Sequence, residues 1–137
     1  MLNLPAFRFY YRYPDGQKHP GITVPISLTS NGLAIDVNAK VDPGAEFCLF
    51  ERSLGEDLGL DIESGFDSRL ATLSGTVPVF GHVVVIETFG VRFESFVYFA
   101  AGYGPARNLL GRTGWLDHFR VAIVHYDREL FLSPYES

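Results

Sequence analysis

A mainly β fold, a small barrel or sandwich with one or two short helices, is what this sequence predicts. Three observations carry the prediction. Short aromatic and β-branched stretches recur along the chain, parted by Gly-, Pro- and Asn-containing turns about every eight to twelve residues. One of them alternates cleanly, with Leu33, Ile35, Val37, Ala39 and Val41 on one face and Ala34, Asp36, Asn38 and Lys40 on the other. Helical spacing is confined to two short places. The 137 residues suit one domain spanning 1–137, with residues 1–20 as an N-terminal extension or strand. A content of 47% hydrophobic and 15% aromatic residues is enough for a sizeable core.

Residues 7–13, Phe-Arg-Phe-Tyr-Tyr-Arg-Tyr, read as a strand, and Pro14-Asp15-Gly16 as a turn. These aromatics suit either a subunit interface or a cover over the chain's own barrel. Residues 22–28 make a second strand, in which Pro25 calls for an edge position or a bulge. Ser30-Asn31-Gly32 is a hairpin turn, because Asn-Gly readily takes positive φ. The alternating strand follows and stops at Asp42. Leu54 and Leu58, spaced i, i+4, predict a helix of two or three turns at most, with Gly59 placed to end it. Residues 61–67 are polar and read as loop. Residues 69–80 form two short strands with Ser74-Gly75 at the tip. Residues 82–88 and 91–99 are strands around Phe89-Gly90, and Phe96 and Tyr98 opposite Val97 and Phe99 imply burial on both faces of the second. After a loop over residues 100–107, residues 108–119 read as a buried strand end and one short helix, with Trp115, Leu116 and Phe119 on its apolar side. Residues 121–125 and 129–133 close the chain as a hairpin through Tyr126-Asp127-Arg128.

The formal charge of −5 argues against a nucleic-acid partner, since phosphate binding needs a basic surface. The single cysteine, Cys48, has no partner for an internal disulfide and fits a buried hydrophobe in a reducing compartment. No basic region followed by an apolar run opens the chain, and no apolar run is long enough to span a bilayer. The expectation is a soluble cytoplasmic protein with no membrane partner. His19, His82, His118 and His125 lack the i, i+4 spacing of a helical zinc site, so no metal is expected.

The chain is organised around Lys40-Val41-Asp42-Pro43-Gly44-Ala45-Glu46-Phe47-Cys48. Pro43 has no N–H and ends any ladder, and Gly44 tolerates a sharp turn. Asp42 is thereby a carboxylate at a strand end, held by a stiff turn among apolar residues. It reads either as an acid presented for chemistry or as an Asx-turn residue that bonds only nearby backbone N–H groups.

An alternating strand, Asp42-Pro43-Gly44-Ala45, a glycine-tipped hairpin, then Asn108-Leu109-Leu110-Gly111-Arg112 before a short helix: this order resembles the retropepsin-like aspartic peptidases. Asp42, Gly44 and Ala45 match the family's Asp-Thr/Ser-Gly-Ala, and Leu109, Leu110 and Gly111 match its second element of two apolar residues and a glycine. The likeness covers about residues 22–132. It implies a closed barrel-like unit of six or seven strands and a homodimer, with Asp42 of two chains meeting at the twofold axis around one water. The hairpin of residues 70–80 corresponds to the family's flap. Asp42 would be the catalytic residue, and Gly44, Ala45, Leu73, Ser74, Gly75 and Thr76 would contact a peptide or protein substrate. No cofactor is implied. Pro43 departs from the pattern, because the family's Thr or Ser hydroxyl braces the two active-site loops across the dimer. Two readings therefore stand: an aspartic endopeptidase, or a non-catalytic relative that keeps the fold as a binding or assembly module. Arg107 and Arg112, flanking the Leu-Leu-Gly element, read as interface or substrate-side cations, or equally as solvated or ion-paired surface residues.

Overall fold

In a computed structural model, which describes residues 7–12, 21–72, 74–104 and 107–134, the strands close into a ring. Among the described residues there are ten strands: β1 (Phe7–Tyr10), β2 (Thr23–Ser30), β3 (Leu33–Val41), β4 (Leu49–Phe50), β5 (Phe66–Thr72), β6 (Gly75–Thr88), β7 (Val91–Ala100), β8 (Leu109–Leu110), β9 (Phe119–Val124) and β10 (Glu129–Pro134). The larger sheet runs β2-β3-β8-β4-β7-β6-β5, and a further β2–β6 pairing joins its two sides. Six strands thus form a closed ring with β5 outside it on β6. A small sheet, β1-β10-β9, accompanies the ring. Its β1 rings pack against the ring's own turn, with Phe7 and Phe9 centred 6.3 and 5.2 Å from Phe89.

Two hairpin turns are those the sequence encodes, while the Pro14-Asp15-Gly16 turn lies outside the described residues. Ser30 pairs with Leu33 around Asn31 (φ 53°) and Gly32 (φ 75°), the left-handed pair that matches strand twist. Thr88 and Val91 pair in the same way around Phe89 and Gly90. Pro25 is tolerated because β6 bonds β2 only at Ser27, Leu28 and Thr29, leaving the Pro25 end of the strand with β3 alone. In β3 burial deepens towards the site: Leu33 is exposed, whereas Val37, Ala39 and Val41 are buried.

Helix α1 (Arg52–Asp57) has six residues and ends as Leu58 and Gly59 predict. Gly59 donates to the Glu56 carbonyl and Leu60 to that of Gly55, the paired bonds of a glycine-terminated helix. The second helix does not form as expected. Residues Leu116–His118 make a single 3-10 turn, because Phe119 already begins β9. Trp115 is fully buried, as its apolar neighbours predict, and its indole N–H donates to Thr88 Oγ1 at 3.0 Å. Residues 61–67 are not a plain loop, since Ile62–Ser64 form a 3-10 turn and Phe66 opens β5. The stretches read as separate strands around Gly81 are one, β6. Gly81 does not break it; the glycine makes room for the Phe96 ring, whose Cζ would lie 2.1 Å from an added Cβ.

The core is formed inside the ring by residues such as Val24, Ile26, Leu28, Val41, Phe50, Ile86, Phe99 and Leu110. Burial on both faces of β7 holds for Tyr98 but not for Phe96, which is 38% exposed. No described helix is long and apolar enough to cross a membrane.

Candidate active site

Strand β8 is two residues long and decides the geometry. It lies between β3 and β4, pairing Leu109 with Lys40 and Leu110 with Val41 on one side, and Leu109 with Leu49 on the other. The segment joining β3 to β4 therefore straddles the end of β8, and that segment carries Asp42. Chain entry and exit are both tied down. Asp42 N–H donates to the Leu110 carbonyl at 3.0 Å, Arg112 N–H to that of Ala45 at 2.9 Å, and Thr113 N–H to that of Glu46 at 2.7 Å. Gly111 sits where the two backbones cross. An added Cβ there would lie 2.3 Å from the Phe47 carbonyl oxygen and 2.9 Å from that of Ala45. The glycine of the Leu-Leu-Gly element is a requirement of space.

The turn itself is closed by Ala45 N–H donating to the Asp42 carbonyl at 3.1 Å. Gly44 N–H donates to Asp42 Oδ1 at 3.0 Å, so the backbone bond of an Asx-turn residue is present. Among the described residues nothing bonds Oδ2, and Asp42 is only half-buried, with Pro43 and Gly44 exposed. One carboxylate oxygen is thus anchored while the other has no partner among the described residues. Below the turn, the Cys48 thiol lies 3.4 Å from the Gly111 N–H, and burial pushes its pKa from 9.0 up to about 12, so it is a filler and not a nucleophile.

Sequence-predicted site residues fall into two groups. Asp42, Gly44 and Ala45 come together with Leu110, Gly111 and Arg112. Ser74, Gly75 and Thr76 are exposed at the far end of the β5–β6 hairpin, and Leu73 lies outside the described residues. Gly75 has a φ of 127°, and Thr72 Oγ1 donates to its carbonyl at 2.8 Å. No hydrogen bond among the described residues links this tip to the Asp42 turn. Arg112 is not merely solvated: its Nη1 donates to the Pro43 carbonyl at 2.7 Å, and among the described residues it has no ion pair.

Two features escaped the sequence. One is a chain of aromatic rings leading away from the site, Phe47 to Tyr98 (5.2 Å), Tyr98 to Phe96 (5.2 Å) and Phe96 to Phe66 (6.4 Å), the last two residues exposed. These residues are 19 to 51 positions from Phe47 in sequence (66 − 47 and 98 − 47), and the β5–β6–β7 register together with the β4–β7 pairing brings them together. The other is Arg52, which donates to both Glu63 carboxylate oxygens (2.5 and 2.8 Å), to Glu56 (3.1 Å) and to the Ala101 carbonyl (2.9 Å), and lies over the Tyr103 ring. Arg52 pins the 101–104 loop, which leads into β8. A concavity of about 220 Å³ lies beside it, lined by Glu51, Arg52, Ser53, Gly102, Tyr103 and Gly104. It is separate from Asp42. Among the described residues no cluster of His, Cys, Asp and Glu has the arrangement of a metal site.

Among the solved structures similar to this one are two proteases. The EIAV protease, in complex with the inhibitor HBY-793, is 20% identical with a TM-score of 0.52, over 74% of this chain and 88% of that one. A retropepsin-like aspartic protease from Rickettsia conorii is 20% identical with a TM-score of 0.64, over 94% of this chain and 99% of that one. At such identity both likenesses speak for the fold. No curated protein sequence matches the chain. The sequence does match the aspartyl protease family over residues 25–113, which hold the Asp42 turn, the β5–β6 hairpin and the Leu109-Leu110-Gly111 crossing, and the chain belongs to that family.

Proposed function

We propose that this protein is an aspartic endopeptidase whose site is completed by a second copy of itself. The observation that carries this is the state of Asp42: one oxygen is anchored by the Gly44 N–H, and the other has no hydrogen-bond partner among the described residues, on a half-buried turn held from both sides by the β8 segment. A single half-exposed carboxylate is a weak catalyst. Two brought into contact share one proton, because like charges that close cannot both be ionised; this is the established behaviour of aspartic proteases. The ionised partner takes a proton from water as the water attacks the scissile carbonyl, and the protonated one donates to the carbonyl oxygen. The two proton losses belong to the pair. Gly44 and Ala45 border the dyad, and the tip residues Leu73, Ser74, Gly75 and Thr76 close over an extended peptide and bond its backbone.

Asp42→Asn tests the dyad directly. It keeps the size of the side chain and removes the base. Cleavage of unfolded casein between pH 4 and 7 is expected to fall about 10²–10⁴-fold. Undiminished cleavage by the Asn variant would rule the mechanism out. One observation favours the second reading, a non-catalytic binding or assembly module: Pro43 has no hydroxyl to brace one loop against its twin. On that reading the wild-type protein cleaves nothing, and Asp42→Asn changes nothing.

A further inference from the structure

We infer that Arg112 is a positioning residue for Asp42, acting through the Pro43–Gly44 peptide; its role in catalysis rests on the peptidase reading above. The argument begins with the turn. Asp42 to Ala45 is a β-turn with Pro43 and Gly44 at its two central places. Pro-Gly at those places is the sequence of a type II turn, in which the glycine takes φ near +80°. Gly44 does not lie in that left-handed region. The central peptide is therefore turned the other way from its local preference, and more than the turn's backbone closure holds it.

Two bonds do so, one at each end of the same peptide plane. The Pro43 carbonyl accepts from Arg112 Nη1 at 2.7 Å, and the Gly44 N–H donates to Asp42 Oδ1 at 3.0 Å. A flip to the type II arrangement exchanges the sides to which this C=O and N–H point. It would withdraw the carbonyl from the guanidinium and the N–H from the carboxylate together. Arg112 is itself fixed at its backbone, with its N–H on the Ala45 carbonyl at 2.9 Å and its carbonyl accepting from Asp117 N–H at 3.0 Å. The guanidinium is thus presented from a tethered base, and a charge-assisted bond of this kind is stronger than a neutral one. Pro43 lacks both an N–H and a hydroxyl, so within the turn its carbonyl is the only polar handle it has. The chain holds that turn from within one subunit, through Arg112.

The test uses the full chain at protein concentrations where association is complete. Arg112→Met keeps the stem and removes the donors, and Arg112→Lys keeps one cationic donor. Arg112 is exposed, so both variants are expected to fold, with melting temperatures read as a control. With unfolded casein as probe, Arg112→Met is expected to lower kcat about 10- to 10²-fold with KM within about twofold, and Arg112→Lys to recover most of the loss. Independently of any activity, hydrogen exchange at the Gly44 amide should quicken about tenfold or more in the Met variant and stay near wild type in the Lys variant. Wild-type exchange at Gly44 in Arg112→Met would overturn the proposal. So would a loss confined to KM, a Lys variant no better than Met, or a loss that disappears as protein concentration is raised, which would assign Arg112 to association instead. Should Asp42→Asn leave cleavage unchanged, the peptidase reading fails, and the Gly44 amide still decides whether Arg112 holds the turn.

Discussion

Pro43 concentrates the question of activity in one side chain. Its ring sets its own φ but offers no hydrogen bond to a twin loop. Replacing it by Thr returns the hydroxyl at the place where the family's motif carries one, and small errors of placement between reacting groups are costly. Pro43→Thr is expected to raise kcat/KM on unfolded casein by about tenfold, and at most about 10²-fold. An unchanged rate would show that the missing hydroxyl does not limit this protein. At this scale Asp42 was legible, because the alternation ending at Val41 and the Pro-Gly that follows are local signals. The partner of the Pro43 carbonyl was not. Arg112 lies 69 positions away, and nothing in its own neighbourhood distinguishes it from a solvated surface arginine.

Among the elements, the crossing of β8 with the Asp42 segment governs stability near the site. Gly111→Ala places a methyl group against the backbone of residues 45 and 47, and backbone cannot swing aside as a side-chain end can. The expected cost is about 1–3 kcal/mol, read as a lowered midpoint in urea with the slope unchanged. The 101–104 loop before β8 is held differently, by charge. Glu56 keeps its carboxyl below the ordinary 4.5 because Tyr103 donates to it and Arg52 adds to this; Glu63 does so because Arg52 donates to it. Carboxyls with lowered values stabilise the folded state fully above their unfolded values, near 4.5, and lose that contribution as pH falls through the folded ones. Both are solvent-facing, so the effect is local and small. Protection factors of amides 101–104 are expected to decline below about pH 4.5, and Arg52→Met should weaken the dependence, leaving the part carried by the Tyr103–Glu56 bond. Protection that stays level from pH 7 to pH 3 would contradict this account. The single 3-10 turn in place of the second helix has a simple cause. Trp115, Leu116 and Phe119 have helical spacing, but Phe119 is claimed by the β9–β10 pairing, which ends the turn after His118.

For the molecule as a whole, the peptidase reading requires two chains. Sedimentation equilibrium at pH 5 and pH 7.5 is expected to show a dimer; a monomer at every concentration would leave Asp42 without its partner. Mixing supplies a stricter test. When wild-type and Asp42→Asn chains are combined in equal amounts and allowed to exchange, random pairing leaves about a quarter of the dimers with two wild-type chains. If both aspartates are needed, activity per wild-type chain should drop to about one half. Activity that merely tracks the amount of wild-type chain would mean that each subunit works alone.

Sequence by itself determined the mainly β character, the positions of the two Asn-Gly and Phe-Gly turns, the glycine-ended helix and the presentation of an acid at the end of β3. Each of these rests on interactions within a few residues: side-chain alternation, positive φ, a missing N–H. It also carried, in the order of its motifs, the likeness that placed the chain in its family. Tertiary structure alone decided how the ring closes through β2 and β6, why Gly81 and Gly111 must be glycines, which rings line up from Phe47 to Phe66, and what Arg52 and Arg112 hold. These depend on strand register and on backbones crossing between distant segments, and no local pattern records which distant residue will stand opposite.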